Sequence, residues 1–324
     1  MTDIDSIRAA ANRLKGRARR TPLLNNPLLD DWVGRHVFVK AECLQHSGSF
    51  KYRGACNAIS SLSAEERQRG VIAYSSGNHA QGMALAARQL GVPAVIVMPH
   101  DAPAIKLDNT RRLGAEVVIY QRGQESREAL GEQLASERGL TLIKPYDDPR
   151  VIAGQGTVGL EIAEQAAEVG VTEANVLVCC GGGGLTAGIA VACNADMPGA
   201  TVYPVEPEDF DDTARSLSTR ERQRNATEQG LCDAVLTPTP GEITFPLLKA
   251  HCPRGLAVSD EDVLRAMHAA FRYFKIVVEP GGAVALAAAL FGEAVDAERP
   301  VIAVASGGNV DGEVFGRALG TALG

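Results

Sequence analysis

Residues 175–192, "NVLVCCGGGGLTAGIAVA", carry an unbroken apolar run into four glycines and then into small residues. A run with no polar face builds a strand that must be covered on both sides. The glycines let the chain turn tightly, and 185–192 predicts a helix packed closely on that strand. Strand, turn and helix form the repeating half-unit of a parallel open sheet. Outward from this stretch the pattern recurs. Short β-rich runs "VFVKAE", "VIAYS", "AVIVMP", "AEVVIY", "LTLIKP", "TVYPVEP", "KIVVEP" and "VIAVAS" are separated mostly by helix-length patterns such as 80–90 and 125–138. Gly91, Gly114 and Gly139 stand where helices should close, and Ser259 before "DED" reads as an N-cap with acids in the first turn. Residues 237–246, "TPTPGEITFP", read as a loop. The fold class is α/β, with parallel sheets covered on both faces.

Length and charge narrow the partners. A chain of 324 residues can bury a large core, most naturally in two lobes. Net charge is −7 without a basic block, which argues against nucleic acid and anionic membrane. Seven cysteines, an odd number without a CxxC pair, suit a reducing compartment. No signal-peptide pattern opens the chain, and the longest clean apolar run, 283–291, is too short to span a bilayer. A cytoplasmic enzyme acting on a small molecule is the expectation.

Function in open α/β sheets gathers where strands end. "SSGNHAQG", "GGGGLTAG", "EPEDFDD" and "SGGNVD" each follow a strand, and "SGSFKYRGA" follows another after a short connection. The glycine loop at a helix start makes an anion site from bare backbone N–H groups. Gly182-x-Gly184-x-x-Ala187, with Glu206 closing the next strand, also fits a weak dinucleotide fingerprint, so an NAD-dependent oxidoreductase stays open. No Gly-Lys-Ser/Thr follows, which excludes a nucleotide-hydrolysing P-loop. Lys51 favours another cofactor. Pyridoxal 5′-phosphate requires an anion cup for its phosphate and an amine for its aldehyde, and the chain offers both.

The ordered set "SGSFKYRGA", "SSGNHAQG", "CGGGGL" and "SGGN" resembles the fold-type II pyridoxal-phosphate enzymes, in the serine/threonine dehydratase and serine racemase group. The likeness spans residues 45–311. It implies two parallel open-sheet lobes of the tryptophan synthase β-like architecture. A large cofactor lobe would hold 1–69 and 148–324, and a small mobile substrate lobe 70–147. It implies that Lys51 carries the cofactor and then serves as base, with Phe50 beside the ring and Asn78 on its phenolic oxygen. Gly181, Gly182, Gly183, Gly184 and Leu185 would hold the phosphate. Gly241 would edge the pocket, Glu279 would stand near the ring and Ser306 would face the pyridine nitrogen. Ser75, Gly77, Asn78 and His79 would bind the substrate α-carboxylate, and Ser76 would face Cα opposite the lysine. Arg127 would lie near the substrate. Glu206, Asp212 and the main-chain oxygen of Phe210 would hold a divalent cation (Mg²⁺, Mn²⁺ or Ca²⁺, as all-oxygen ligation requires). A homodimer is implied as well.

The chemistry follows from these roles. Desolvation would lower the Lys51 pKa and keep the free amine usable near neutral pH. A neutral serine at position 306 weakens the ring as an electron sink, which suits β-elimination over a long-lived carbanion. The expected activity is dehydration and deamination of a β-hydroxy-α-amino acid to a 2-oxo acid and ammonia. Serine/threonine and 3-hydroxyaspartate are both open as substrates. Arg127 and His46, in "QHSG", would favour a second carboxylate, although His46 also reads as a plain loop residue. Ser76 makes racemisation the alternative. A non-catalytic pyridoxal-phosphate-binding protein is a further alternative of a different class. A C-terminal regulatory domain is not expected.

Overall fold

The computed structural model describes residues 2–102, 104–227, 229–292, 295–296 and 298–323. Its strands in chain order are β1 (Leu23–Asn25), β2 (Val37–Ala41), β3 (Val71–Tyr74), β4 (Ala94–Pro99), β5 (Glu116–Tyr120), β6 (Thr141–Leu142), β7 (Glu173–Cys179), β8 (Gly199–Pro207), β9 (Leu256–Val258) and β10 (Val301–Ala305). Six form one sheet in the order β1-β2-β10-β7-β8-β9, and four form a second in the order β5-β4-β3-β6. Only β1 runs antiparallel to its neighbour among these strands. The two parallel-sheet lobes expected from the sequence are present.

Register sets up the site. β10 lies between β2 and β7, with Ala305 opposite Ala41 and Val304 opposite Val178. The segments that leave these three strands therefore emerge at one edge of the sheet: "SGGN" after β10, the glycines after β7, and the run to Lys51 after β2. Along β10 the side chains alternate between two cores. Val301, Ala303 and Ala305 join one cluster, whereas Ile302 and Val304 join the other. Both faces are covered, which is why this strand reads as continuously apolar. Helix Pro280–Phe291, buried from Pro280 to Ala289, covers one face through small side chains. Among the described residues no helix is long and apolar enough to cross a membrane.

The smaller sheet packs Val71, Ala73 and Ile96 against Met83 of helix Asn78–Leu90. The same core takes Tyr52, Ala55, Cys56 and Ile59 from helix Lys51–Ser60, which the sequence groups with the larger lobe. Lys51, first in that helix, thus stands at the seam of the lobes.

Three local expectations need correction. "KIVVEP" is not a strand: a π-helical turn at Ala270–Phe274 ends at left-handed Lys275 (φ 60°), and Val277 is exposed. Strands β1 and β9 carry no signal in the sequence because three residues show no periodicity. Helix Thr244–His251 begins inside the expected loop 237–246. Its start is capped from far away, since the Asp147 carboxylate accepts from the backbone N–H groups of Glu242, Ile243 and Thr244.

Candidate active site

Lys51 is positioned by backbone pairing on one side and a buried ion network on the other. The Phe50 N–H donates to the Ser306 carbonyl at 3.1 Å and the Gly308 N–H to the Gly48 carbonyl at 2.9 Å. Ser49 and Gly307 form an antiparallel bridge between them. Ser47 holds a left-handed conformation (φ 58°), steadied by Asn309 Nδ2 donating to its carbonyl at 2.8 Å. Two residues beyond the lysine, the Arg53 guanidinium is buried between Glu42 and Glu161 at 2.8 and 2.7 Å. Lys40 Nζ reaches Glu161 at 2.6 Å, which completes the network. The first turn is fixed by this anchoring, and Lys51 Nζ donates to the Pro145 carbonyl at 2.9 Å. It lies 5.2 Å from the centre of the Phe50 ring. Burial pushes the amine down to about 8, against the pull of the Glu279 carboxylate. A free base near neutral pH is what a proton-abstracting lysine needs.

Across the cleft the glycines form a shallow cradle at the start of helix Gly184–Asp196. Gly183 is left-handed (φ 89°), and a Cβ on Gly182 would strike the Tyr146 ring. The first-turn N–H groups of that helix have no intrahelical acceptor and point toward the cradle. Phe50, Lys51, Asn78, Gly181 to Gly184, Leu185 and Ser306 all line this one cleft. Tyr146, Gln155 and Cys179 line it too, and nothing in the sequence singles them out. Gln155 Oε1 accepts from the Gly54 N–H at 3.1 Å, while its buried Nε2 has no partner. Its place in the middle of helix Pro149–Glu168 gives no sign of this.

Asn78 opens helix Asn78–Leu90 and ties the lobes together. Its Nδ2 donates to Glu279 Oε1 at 2.6 Å, and its Oδ1 accepts from Asn309 Nδ2 at 2.7 Å. Glu279 occupies the N-cap position of helix Pro280–Phe291 without capping it by its side chain. Burial raises its carboxyl to about 8, opposed by the Asn78 hydrogen bond. Ser75 Oγ accepts from the Gly77 N–H at 3.2 Å, while Ser76 and Gly77 are half-buried beside it. The His79 ring turns into the core, with Nε2 3.2 Å from the Ile143 carbonyl. Burial, then the charge of Lys51, lowers it to about 3, so it stays neutral. Any part that His79 takes in anion binding belongs to its backbone N–H.

Other expected residues lie further out. Arg127 lines an adjoining cleft with Tyr74, Lys144, Asp147 and Gly241, and the two clefts share Pro145 and Tyr146 as walls. Gly241 meets the cradle from behind, its N–H donating to the Gly182 carbonyl at 3.2 Å. His46 packs edge-on against Tyr52 at 5.0 Å and is not among the residues lining either cleft. Glu206 and Asp212 are buried together. The Glu206 oxygens accept from the N–H groups of Thr213 and Ala214 at 2.9 and 2.8 Å. Asp212 Oδ1 accepts from Asn225 at 2.5 Å, and its buried Oδ2 has no partner. Burial and then the charge of Asp212 raise Glu206 well above the usual carboxylate range, and burial raises Asp212 to about 7. Among the described residues no three His, Cys, Asp or Glu side chains cluster to hold a metal.

A half-buried, desolvated amine and an anion cradle sharing one cleft define an enzyme for a phosphate-bearing aldehyde cofactor. Residues 14–307 match the family described as "Pyridoxal-phosphate dependent enzyme", and the chain belongs to it. That match sets aside the dinucleotide reading of the glycine loop. The chain is 43% identical over 302 residues to the L-threo-3-hydroxyaspartate ammonia-lyase of Saccharomyces cerevisiae, covering 93% of this chain and 91% of that one. It is 39% identical to the serine racemase of Schizosaccharomyces pombe over 97% of this chain and 96% of that one. The structure of maize serine racemase is similar, with a TM-score of 0.91, 35% identity and coverage of 98% of this chain and 97% of that one. The residues present fit the cofactor: the cradle is built where a Cβ would clash, and the lysine stands in the same cleft.

Proposed function

We propose that the protein is an ammonia-lyase that dehydrates and deaminates a β-hydroxy-α-amino acid, with 3-hydroxyaspartate as the preferred substrate. Net, the substrate becomes a 2-oxo acid and ammonium, and the water lost in elimination is regained in hydrolysis. The half-buried Lys51 amine, in a cleft that shares Pro145 and Tyr146 as walls with the one lined by Arg127, carries this reading. Bound pyridoxal phosphate supplies electron withdrawal from the substrate Cα. Lys51 Nζ takes the Cα proton, and its lowered pKa keeps a useful fraction in the free-base form. The N–H groups of Gly181 to Gly184 and Leu185 would hold the cofactor phosphate, and Asn78 and Phe50 would flank its ring. Ser306 would be a neutral neighbour for the pyridine nitrogen, with Glu279 tied to the site through Asn78. The first-turn N–H groups of helix Asn78–Leu90, with Ser75 and Gly77, orient the α-carboxylate. The β-hydroxyl leaves as the proton is removed, and the hydroxide equivalent with the proton taken by Lys51 balances as one water.

The relatives named above act on different amino acids, so the choice of substrate rests on side chains. Arg127 in the adjoining cleft favours a second carboxylate. Kinetics on serine, threonine and 3-hydroxyaspartate test this, and an Arg127→Ala holoenzyme should lose the dicarboxylic substrate selectively. Equal loss on serine removes Arg127 from specificity. Racemisation is the second reading, supported by the place of Ser76 in the loop before Asn78.

The reading also includes a divalent cation on Glu206, Asp212 and the Phe210 carbonyl, supported by the partnerless Asp212 Oδ2. It includes a smaller lobe, 70–147, that closes over substrate. A homodimer is supported by exposed Leu28, Trp32 and Phe271, and a cytoplasmic location by seven unpaired cysteines.

A further inference from the structure

Arg127 does not stand alone in its cleft. Arg222 lines the same cleft but comes from the other lobe, in the segment after helix Asp212–Thr219. Its Nε donates to the Pro240 carbonyl at 2.9 Å, and its Nη1 lies 3.3 Å from Glu242. Arg127, first in helix Arg127–Arg138 of the smaller lobe, gives its Nε to Glu128 at 2.7 Å and lies over the Tyr74 ring at 5.8 Å. Among the described residues, Arg222 Nη2 and both terminal nitrogens of Arg127 have no hydrogen-bond partner.

The carboxylates in this cleft are already committed. Asp147 accepts from the three backbone N–H groups that start helix Thr244–His251. Glu128 and Glu242 hold the outer edges of the two guanidinium groups, and the Glu242 side chain is 79% exposed. Lys144 adds a third cation, immediately before the Pro145 carbonyl that accepts from Lys51. The cleft therefore offers free N–H groups from both lobes to an anion, beside the cleft that Lys51 lines.

We propose that Arg222 is a specificity-determining residue that, with Arg127, clamps the distal carboxylate of a dicarboxylic substrate between the lobes. The proposal rests on the ammonia-lyase reading above. Planar guanidinium groups bind carboxylates through paired N–H donors, and one anion held from both lobes favours the closed arrangement. A substrate without the distal carboxylate forgoes that contact and reacts independently of Arg222.

The test uses holoenzyme of wild type, Arg222→Gln and Arg222→Lys. Arg222→Gln should lower kcat/KM for 3-hydroxyaspartate about 10- to 100-fold, as loss of a hydrogen bond to a charged group does, and leave serine nearly unchanged. Arg222→Lys should restore part of the loss. A second readout is independent of turnover. Malate, a dicarboxylate without an amine, should raise the melting temperature of wild type but not of Arg222→Gln, whereas glycerate should shift neither. Equal loss on serine and 3-hydroxyaspartate, or no loss on either, overturns the proposal. So does malate stabilisation that survives Arg222→Gln. A wild-type enzyme that deaminates serine but not 3-hydroxyaspartate would instead overturn the substrate reading, and the malate comparison would still decide Arg222.

Discussion

Lys51 and Glu279 are both pushed by burial toward their uncharged forms, and each gives a separate experiment. Lys51→Ala should lose the visible absorbance of the bound cofactor and at least about 10³-fold in ammonia release, the scale of a missing nucleophile and base together. Retention of both would show that another amine does the work. Glu279 predicts a pH effect in the cofactor-free protein. Its folded pKa of about 8 lies above the ordinary value of 4.5, so the folded state holds its proton longer than the unfolded one. Its contribution to stability is complete below about 4.5 and is lost as pH rises through about 8. Across that window the melting-temperature difference between wild type and Glu279→Gln should move in favour of the variant. A constant difference contradicts the assignment. Ser76→Ala should abolish any racemisation and spare elimination from an L-substrate, checked by chiral chromatography of product and residual substrate. At this scale the sequence is most legible where a residue type is forced by chemistry. Lys51, Asn78 and Ser306, each singled out by its motif, line one cleft. Tyr146, Gln155 and Arg222 are not legible, because their importance comes from segments far away in the chain.

The glycine turn is the element on which the proposed cofactor binding rests. Gly183 is left-handed and a side chain on Gly182 would meet Tyr146, so substitution at either position costs about 1–3 kcal/mol in strain or displacement. Gly183→Ala should weaken cofactor affinity at least about tenfold, measured by fluorescence titration, while the far-UV circular dichroism stays native. Unchanged affinity would mean that the cradle does not hold the phosphate. The strand and helix on either side are readable, since a buried parallel strand is apolar throughout and its helix must be small to lie close. Elements whose ends depend on distant partners are not. Helix Thr244–His251 owes its start to Asp147, and the turn at Ala270–Phe274 stands before what reads as a strand. Helix Lys51–Ser60 is similar, because its register depends on Arg53 meeting Glu42 and Glu161. Arg53→Ala leaves those carboxylates buried without their partner and should cost about 3–5 kcal/mol, read as a lower urea midpoint. A loss under about 1 kcal/mol would show that the network is replaceable.

The larger sheet brings its strand ends to one edge, and the smaller lobe brings Asn78 to meet it, so the cleft belongs to neither lobe alone. Behind it, Glu206 and Asp212 are held as a buried acidic pair with one oxygen unpartnered. Chelation should lower the melting temperature and the activity of wild type, added Mg²⁺ should restore both, and Asp212→Asn should not respond to either treatment. If wild type is indifferent to chelation, the pair is an acidic loop held by the Thr213, Ala214 and Asn225 hydrogen bonds without a cation. The proposed chemistry is tested most directly by ammonia release from the holoenzyme on L- and D-serine, threonine and the stereoisomers of 3-hydroxyaspartate, with Lys51→Ala alongside. Wild type should release ammonia from hydroxy amino acids, with the highest kcat/KM on a 3-hydroxyaspartate isomer and oxaloacetate as its product, and Lys51→Ala should do none of this. A cofactor-loaded protein that releases no ammonia from any of them would contradict the ammonia-lyase assignment.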